Sequence, residues 1–137
     1  MELVFEHDLI MVLRLLLATG LGAVIGYQRE RFKKPAGFRT HMLIAIGAAL
    51  FTLASIYAFG AQSDPARIAA GIVTGIGFLG AGAILHPTEG IVAGLTTAAS
   101  MWTTAAIGLA VGSGLYLVAV VATILVFIVL LLPHPIR

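Results

Sequence analysis

The chain has 137 residues, 60% hydrophobic and only 10% charged, with a mean hydropathy of +1.07 and a formal net charge of +2. A soluble domain carries about 25% charged residues, so this composition excludes a water-covered surface and makes lipid the solvent. The absence of cysteine excludes disulfides, thiolate metal sites and a cysteine nucleophile, and so small a net charge gives no ground for nucleic-acid binding.

The expected fold is all-α, a polytopic membrane helix bundle forming a single membrane domain over 1–137, with no separate soluble domain. A helix crossing about 30 Å of hydrocarbon needs roughly 20 apolar residues, so the charge-free runs set the spans. In chain order they predict helices over 9–27, 41–60, 67–86, 95–112 and 115–132. The first is interrupted only by Arg14. Glycine ends helices readily, so "GSG" at 112–114 divides the last long apolar run into two antiparallel neighbours. "LPHP" at 132–135 stops the fifth, because proline cannot continue a helix. The start, "MELVFEHD", is acidic where a secretory signal would be basic, so no cleavable leader is expected.

Charge is concentrated in "GYQRERFKKPAGFRTH" (26–41), where Arg29, Glu30, Arg31, Lys33, Lys34 and Arg39 lie close together. The positive-inside rule places this loop in the cytoplasm and the N-terminus outside. Five spans then put the C-terminus, with Arg137, inside. Lys33 and Lys34 act as topology markers near anionic headgroups. Pro35 and Gly37 turn the chain, Thr40 is expected to cap the second helix, and Glu30 is expected to pair with Arg39. With His41, these residues (Glu30, Arg39, Thr40 and His41) form the candidate functional hub.

Lipid tails are as apolar as leucine, so membrane helices pack through small residues that let backbones approach. Ala18, Gly22 and Gly26 make such a stripe in the first span; Gly71, Gly75 and Gly82 in the third; Gly108 continues one in the fourth, after Thr96, Ser100 and Thr104. The sharper reading of the third-span glycines is unwound backbone offering carbonyls to an ion. The fifth span is bulky throughout, as a lipid-facing helix would be.

Intramembrane polar residues are functional candidates by default. Arg14 is expected to face the bundle near the outer end. It would snorkel, pair with Asp64 or Asp8, or line a functional cavity. Ser100 and Thr104 would bond to the preceding turn or coordinate a cation or water. Trp102 is expected as a packing anchor, and His41 and His86 lie at cytoplasmic helix ends. No His/Asp/Glu cluster has metal-ligand spacing, so the metal stays unassigned and no cofactor is implied. No serine has a base and acid at a nucleophile's spacing, and "GIGFLGAG" lacks the Lys-Ser/Thr of a phosphate loop. No enzyme is expected.

Three motifs together, "PAGFRTH", "GIGFLGAG" and "GLTTAASMW", resemble the N-terminal membrane domain of the MgtC/SapB family over roughly residues 9–132. Longer members of that family continue into a cytoplasmic ACT-like domain, and this chain is expected to be a short member with the membrane part alone. The resemblance implies a bacterial inner-membrane, multi-pass protein tied to magnesium homeostasis and, in pathogens, to virulence through survival in macrophages. In the best-known member the implied role is restraint of the F-type ATP synthase. Two positions depart from the family pattern: Gln28, where many members have Glu, and Ala93, where many have a basic residue.

The expectation is therefore a non-enzymatic regulator acting in the lipid bilayer through helix contacts, as a homo-oligomer or within a larger membrane complex. The alternative is a small homo-oligomeric cation (magnesium) transporter or channel.

Overall fold

The computed structural model describes residues 1–84 and 94–133. They form five helices: α1 (Glu2–Arg31), α2 (Phe38–Tyr57), α3 (Pro65–Ile84), α4 (Leu95–Gly112) and α5 (Tyr116–Leu131). The first four are long and apolar enough to cross a membrane, while α5 is shorter at 16 residues. It nevertheless runs between the same two ends as α1. Tyr116 at its start meets Arg14, and Leu130 near its finish meets Gln28. On both helices those points lie about 21 Å apart at 1.5 Å per residue, so α1 and α5 lie parallel and in register. The protein is a polytopic helical membrane bundle.

Five helices occur in the expected order, four of them long enough to cross a membrane, and α4 has the expected bounds. The largest correction is α1, which covers 30 residues where 9–27 was expected. Charge-free runs locate hydrocarbon, but charged residues do not break a helix, and the ladder continues to Arg31. At about 45 Å it exceeds the hydrocarbon depth, and its first nine residues are exposed. The second helix begins at Phe38 instead of 41 and ends at Tyr57, just before Gly60 at φ +86°. The third begins at Pro65, a residue suited to the first helical position because it has no N–H to leave unpaired. The fifth is one residue shorter at each end than expected. His86, Ala93 and Arg137, and the last two residues of the expected third helix, lie outside the described residues.

Two helices end in the same hydrogen-bonded turn. After α4, Leu115 N–H donates to Ala110 O (2.8 Å) and Gly114 N–H to Val111 O (3.0 Å), with Gly114 at φ +90°. After α1, Lys34 N–H donates to Arg29 O (3.0 Å) and Lys33 N–H to Glu30 O (2.9 Å), with Lys33 at φ +58°. This left-handed position normally takes glycine, which makes Lys33 the more strained of the two.

The tightest packing is the seam of α1, α2 and α4, where Ala18, Ile25, Ala45, Ala49, Ile107 and Val111 are buried together. Close approach there depends on glycine. A Cβ on Gly22 would stand 2.7 Å from His41 O, and one on Gly108 would stand 2.5 Å from Ala45 O. Gly26 is held as closely against Phe38. All three therefore sit in close contact with α2 backbone.

Among the described residues the other three pack against nothing. A Cβ on Gly71, Gly75 or Gly82 would meet nothing within 4 Å. α3 buries only Ile76 and Gly80, and Gly80 is the glycine that meets α4, 3.5 Å from Ala98 Cβ. At its start, Ser55 Oγ donates to Pro65 O at 3.2 Å. Trp102 is another correction. It is 55% exposed and faces out of α4, because the buried stripe of that helix runs through Thr97, Ser100, Met101, Thr104 and Gly108. α5 presents mostly exposed apolar side chains and buries Ala119 and Thr123.

Candidate functional site

The buried stripe of α1 passes through Ala18, Gly22, Ile25 and Gly26 and continues at the same helical spacing to Arg29. Arg29 is therefore carried into the seam, where it is 4% exposed. Its Nη2 donates to Thr97 Oγ1 of α4 at 2.7 Å. Its Nε is buried and has no partner among the described residues. Gln28 beside it is 3% exposed. Its Nε2 donates to Leu130 O of α5 at 3.0 Å, while Oε1 has no partner among the described residues. Neighbouring residues on one turn thus reach two different helices.

From α2, His41 completes the cluster with no exposed surface. Nδ1 lies 3.0 Å from Gly37 O, which also accepts the His41 backbone N–H at 3.1 Å. A carbonyl only accepts, so Nδ1 carries a proton. Nε2 lies 2.9 Å from Ser100 Oγ, and that hydroxyl also donates to Thr97 O at 2.8 Å. The hydroxyl has one proton. With a neutral imidazole it serves either Nε2 or the Thr97 carbonyl, and filling both bonds needs a proton on Nε2. Thr104 Oγ1 donates to Ser100 O at 2.7 Å, so it bonds the preceding turn and leaves the cluster unextended.

Glu30 organises the loop above. Its Oε1 accepts the Phe38 N–H at 3.1 Å, so a carboxylate from α1 caps the first turn of α2 and meets the positive end of its dipole. A Cβ on Gly37 would lie 2.6 Å from that oxygen, so a larger residue there would have to move the Glu30 side chain. This geometry replaces the expected Glu30–Arg39 pair. Arg39 is exposed, and no ion pair is present among the described residues. Thr40 is not the cap, because α2 starts two residues earlier with Gly37 at the cap position. It lines a groove between α2 and α3 instead.

Arg14 lies at the opposite end of the bundle. Its Nε donates to Tyr116 Oη at 2.7 Å, and its Nη1 to Tyr57 Oη at 3.2 Å and Gly112 O at 3.0 Å. The guanidinium carbon also lies 5.9 and 5.6 Å from the centroids of the two tyrosine rings, within cation–π range. The Gly112 carbonyl belongs to the negative end of α4, where a cation is favoured. These partners replace the expected Asp64 or Asp8. Arg14 therefore ties α1 to the ends of α2 and α4 and to the start of α5.

The structure thus brings His41 and Ser100 together and places Glu30 over them. It puts Arg39 on the surface and Arg14 at the far end. In the sequence Arg29 is one member of a run of charges and Gln28 a departure from the family pattern; neither is placed in the hub there, although the stripe through Gly22 and Gly26 points to Arg29. Chemically, the cluster is a set of hydrogen-bond donors, hydroxyls and one imidazole around a buried cation. Among the described residues no group of three or more His, Cys, Asp or Glu side chains converges on a metal position.

The model of the MgtC family matches residues 15–137. The chain is 45% identical over 130 residues to an Escherichia coli K12 protein named "Putative magnesium transporter YhiD", an alignment covering 90% of this chain and 60% of that one. It is 48% identical over 116 residues to Protein MgtC of Salmonella typhimurium LT2, covering 84% of this chain and 48% of the other. It is 41% identical over 112 residues to Protein SapB of Bacillus subtilis, covering 77% and 48%. The chain thus spans about half to three-fifths of the length of these relatives. No solved structure matches. A helical bundle with long apolar spans and bacterial relatives of this kind is a multi-pass protein of the bacterial inner membrane. The chain belongs to the MgtC family.

Proposed function

We propose that this chain is a non-enzymatic membrane regulator that acts by contact with another membrane protein. The observation that carries this reading is the buried hub. Its fixed charge is the Arg29 guanidinium, which repels a cation from the seam where α1, α2 and α4 meet. The same seam is closed by glycine-mediated backbone contact. Such a centre holds helices in place and sets a like charge against an entering cation.

The hub fixes what the basic end presents. His41 is locked to Ser100, Glu30 caps α2, and Arg39, between these anchors, points outward with Arg31, Lys33 and Lys34. An exposed arginine on a rigid helix start suits recognition of an acidic partner surface. Under the positive-inside rule this surface faces the cytoplasm.

The printed name of the Escherichia coli relative supplies the competing reading, a magnesium transporter. Purified protein in liposomes with magnesium- and proton-sensitive dyes separates the two. The regulator reading expects no flux above empty liposomes. Flux that responds to Arg14→Leu or Ser100→Leu would sink it. In cells, crosslinking is expected to capture a heterologous membrane partner. Arg39→Ala should lower that capture without changing the amount of folded protein.

A further inference from the structure

A groove of about 860 Å³ runs between α2 and α3. Three glycines, Gly47 on α2 and Gly71 and Gly75 on α3, line it, and a Cβ on any of them would meet nothing within 4 Å. The walls are otherwise almost wholly apolar, so the groove suits hydrocarbon, and no side chain of the described residues fills it. Among the described residues Arg67 is the single charged one along it and stands at the end formed by the start of α3. It is exposed. Asp64, three residues earlier, is engaged as an acceptor for the Ala66 N–H at 3.0 Å.

We propose that this groove is a phospholipid site, with one acyl chain between α2 and α3 and the lipid phosphate on the Arg67 guanidinium. The first argument is charge. A guanidinium at the mouth of an apolar slot matches a phosphate joined to a hydrocarbon chain, and its fork of donors matches phosphate oxygens. The second is depth. Along α3 the lining runs from Arg67 to Leu79, about 18 Å at 1.5 Å per residue. That is a little more than half of the roughly 30 Å hydrocarbon core, the reach of a lipid from one leaflet. A crossing helix from a second copy would follow the wall much further. With α3 starting on the side opposite the basic loop, the lipid belongs to the outward-facing leaflet.

The test is native mass spectrometry of the full chain released from nanodiscs of phosphatidylglycerol, and separately of nanodiscs enriched in diacylglycerol, which has chains and no phosphate. The expected result is one phosphatidylglycerol held at an activation that strips all others, with diacylglycerol lost under the same conditions. Gly75→Leu fills the slot and should lower the retained fraction at least fivefold. Arg67→Ala leaves the slot intact and should lower it about threefold or more, and it sits where no packing is disturbed should the leucine variant fold poorly. Retention unchanged in both variants overturns the proposal. So does efficient disulfide capture of a second copy through Gly47→Cys in membranes, which would make the occupant protein. Neither outcome depends on the flux assay, so this site and the regulator reading fail separately.

Discussion

Two sets of glycines in this chain look alike in sequence and sit in opposite surroundings. Gly22, Gly26 and Gly108 lie where α1, α2 and α4 touch backbone to backbone, and a methyl group at any of them would overlap a neighbour. Gly71, Gly75 and Gly82 lie on α3 with nothing within 4 Å. Glycine in a helix interior costs about 0.5–1 kcal/mol relative to alanine. In the seam that loss is offset by close packing and by the room it leaves for Arg29, His41 and Ser100. On α3 no contact among the described residues offsets it. The small-residue stripe reports that something approaches closely, and only the structure shows whether that thing belongs to the same chain.

The largest effect should come from breaking the packed side. Gly108→Leu would drive a side chain into Ala45 O, 2.5 Å from the Cβ position, and into Ala48 Cβ at 2.9 Å. Backbone cannot rotate away as a side chain does, so α2 and α4 must separate. Overpacking commonly costs about 1–3 kcal/mol, and here the cost should reach the upper end, about 3 kcal/mol or more. Detergent-induced unfolding followed by helical signal should show a much lower midpoint or loss of folded protein. A normal midpoint would mean the seam is looser than these distances state.

The next effect is at Arg14, which closes the seam at the end away from the basic loop. Arg14→Leu removes three hydrogen bonds and two ring contacts. Hydrogen bonds to charged groups contribute about 1.5–3 kcal/mol each, but the tyrosine bonds are exposed and solvent-screened. A net loss of about 1–3 kcal/mol is expected. Arg14→Lys keeps the charge without the fork and should recover only part of it. Full recovery by lysine would show that charge alone holds the three helix ends.

Ser100→Ala tests the hub more gently. It leaves His41 Nε2 buried without its partner, which costs about 1–2 kcal/mol by the usual penalty for an unpaired buried group. Because the Thr97 carbonyl loses its hydroxyl as well, His41→Phe in the same background should cost less than it does alone. Strict additivity of the two changes would separate His41 from Ser100 energetically and remove the basis for treating them as one unit.

The number and order of helices were legible because hydrocarbon depth constrains span length, and charge-free runs of that length are rare. The ends of α1 were not, because the charged residues that mark the membrane boundary, Glu6 and Asp8 on one side and Arg29–Arg31 on the other, do not break a helix, and Glu and Arg favour one. The hub was half legible. His41 and Ser100 drew notice as polar residues near spans, but Arg29 was hidden inside a run of charges whose other members only mark topology. The partners of Arg14 lie 43 and 102 residues away, and no local pattern connects them. The open face of α3 was illegible for a different reason: periodicity states which residues share a face and is silent on what that face meets.

The smallest predicted effect has the opposite sign and bears most directly on the contrast. Gly75→Ala adds a methyl group where nothing lies within 4 Å, so the steric term is absent. The helix-propensity term remains and favours alanine by up to about 1 kcal/mol. The midpoint of detergent unfolding should therefore rise slightly. Gly108→Ala gains the same propensity but places its methyl group 2.5 Å from Ala45 O, so its midpoint should fall. The two variants carry the same chemical change on helices of similar length, which leaves surroundings as the difference between them. If Gly75→Ala also lowered the midpoint, the α3 glycines would be packed in the protein as it unfolds, against a second copy or a tightly held lipid. Repeating the measurement after exhaustive delipidation would then assign the occupant, since a lipid-dependent cost disappears with the lipid and a protein contact does not.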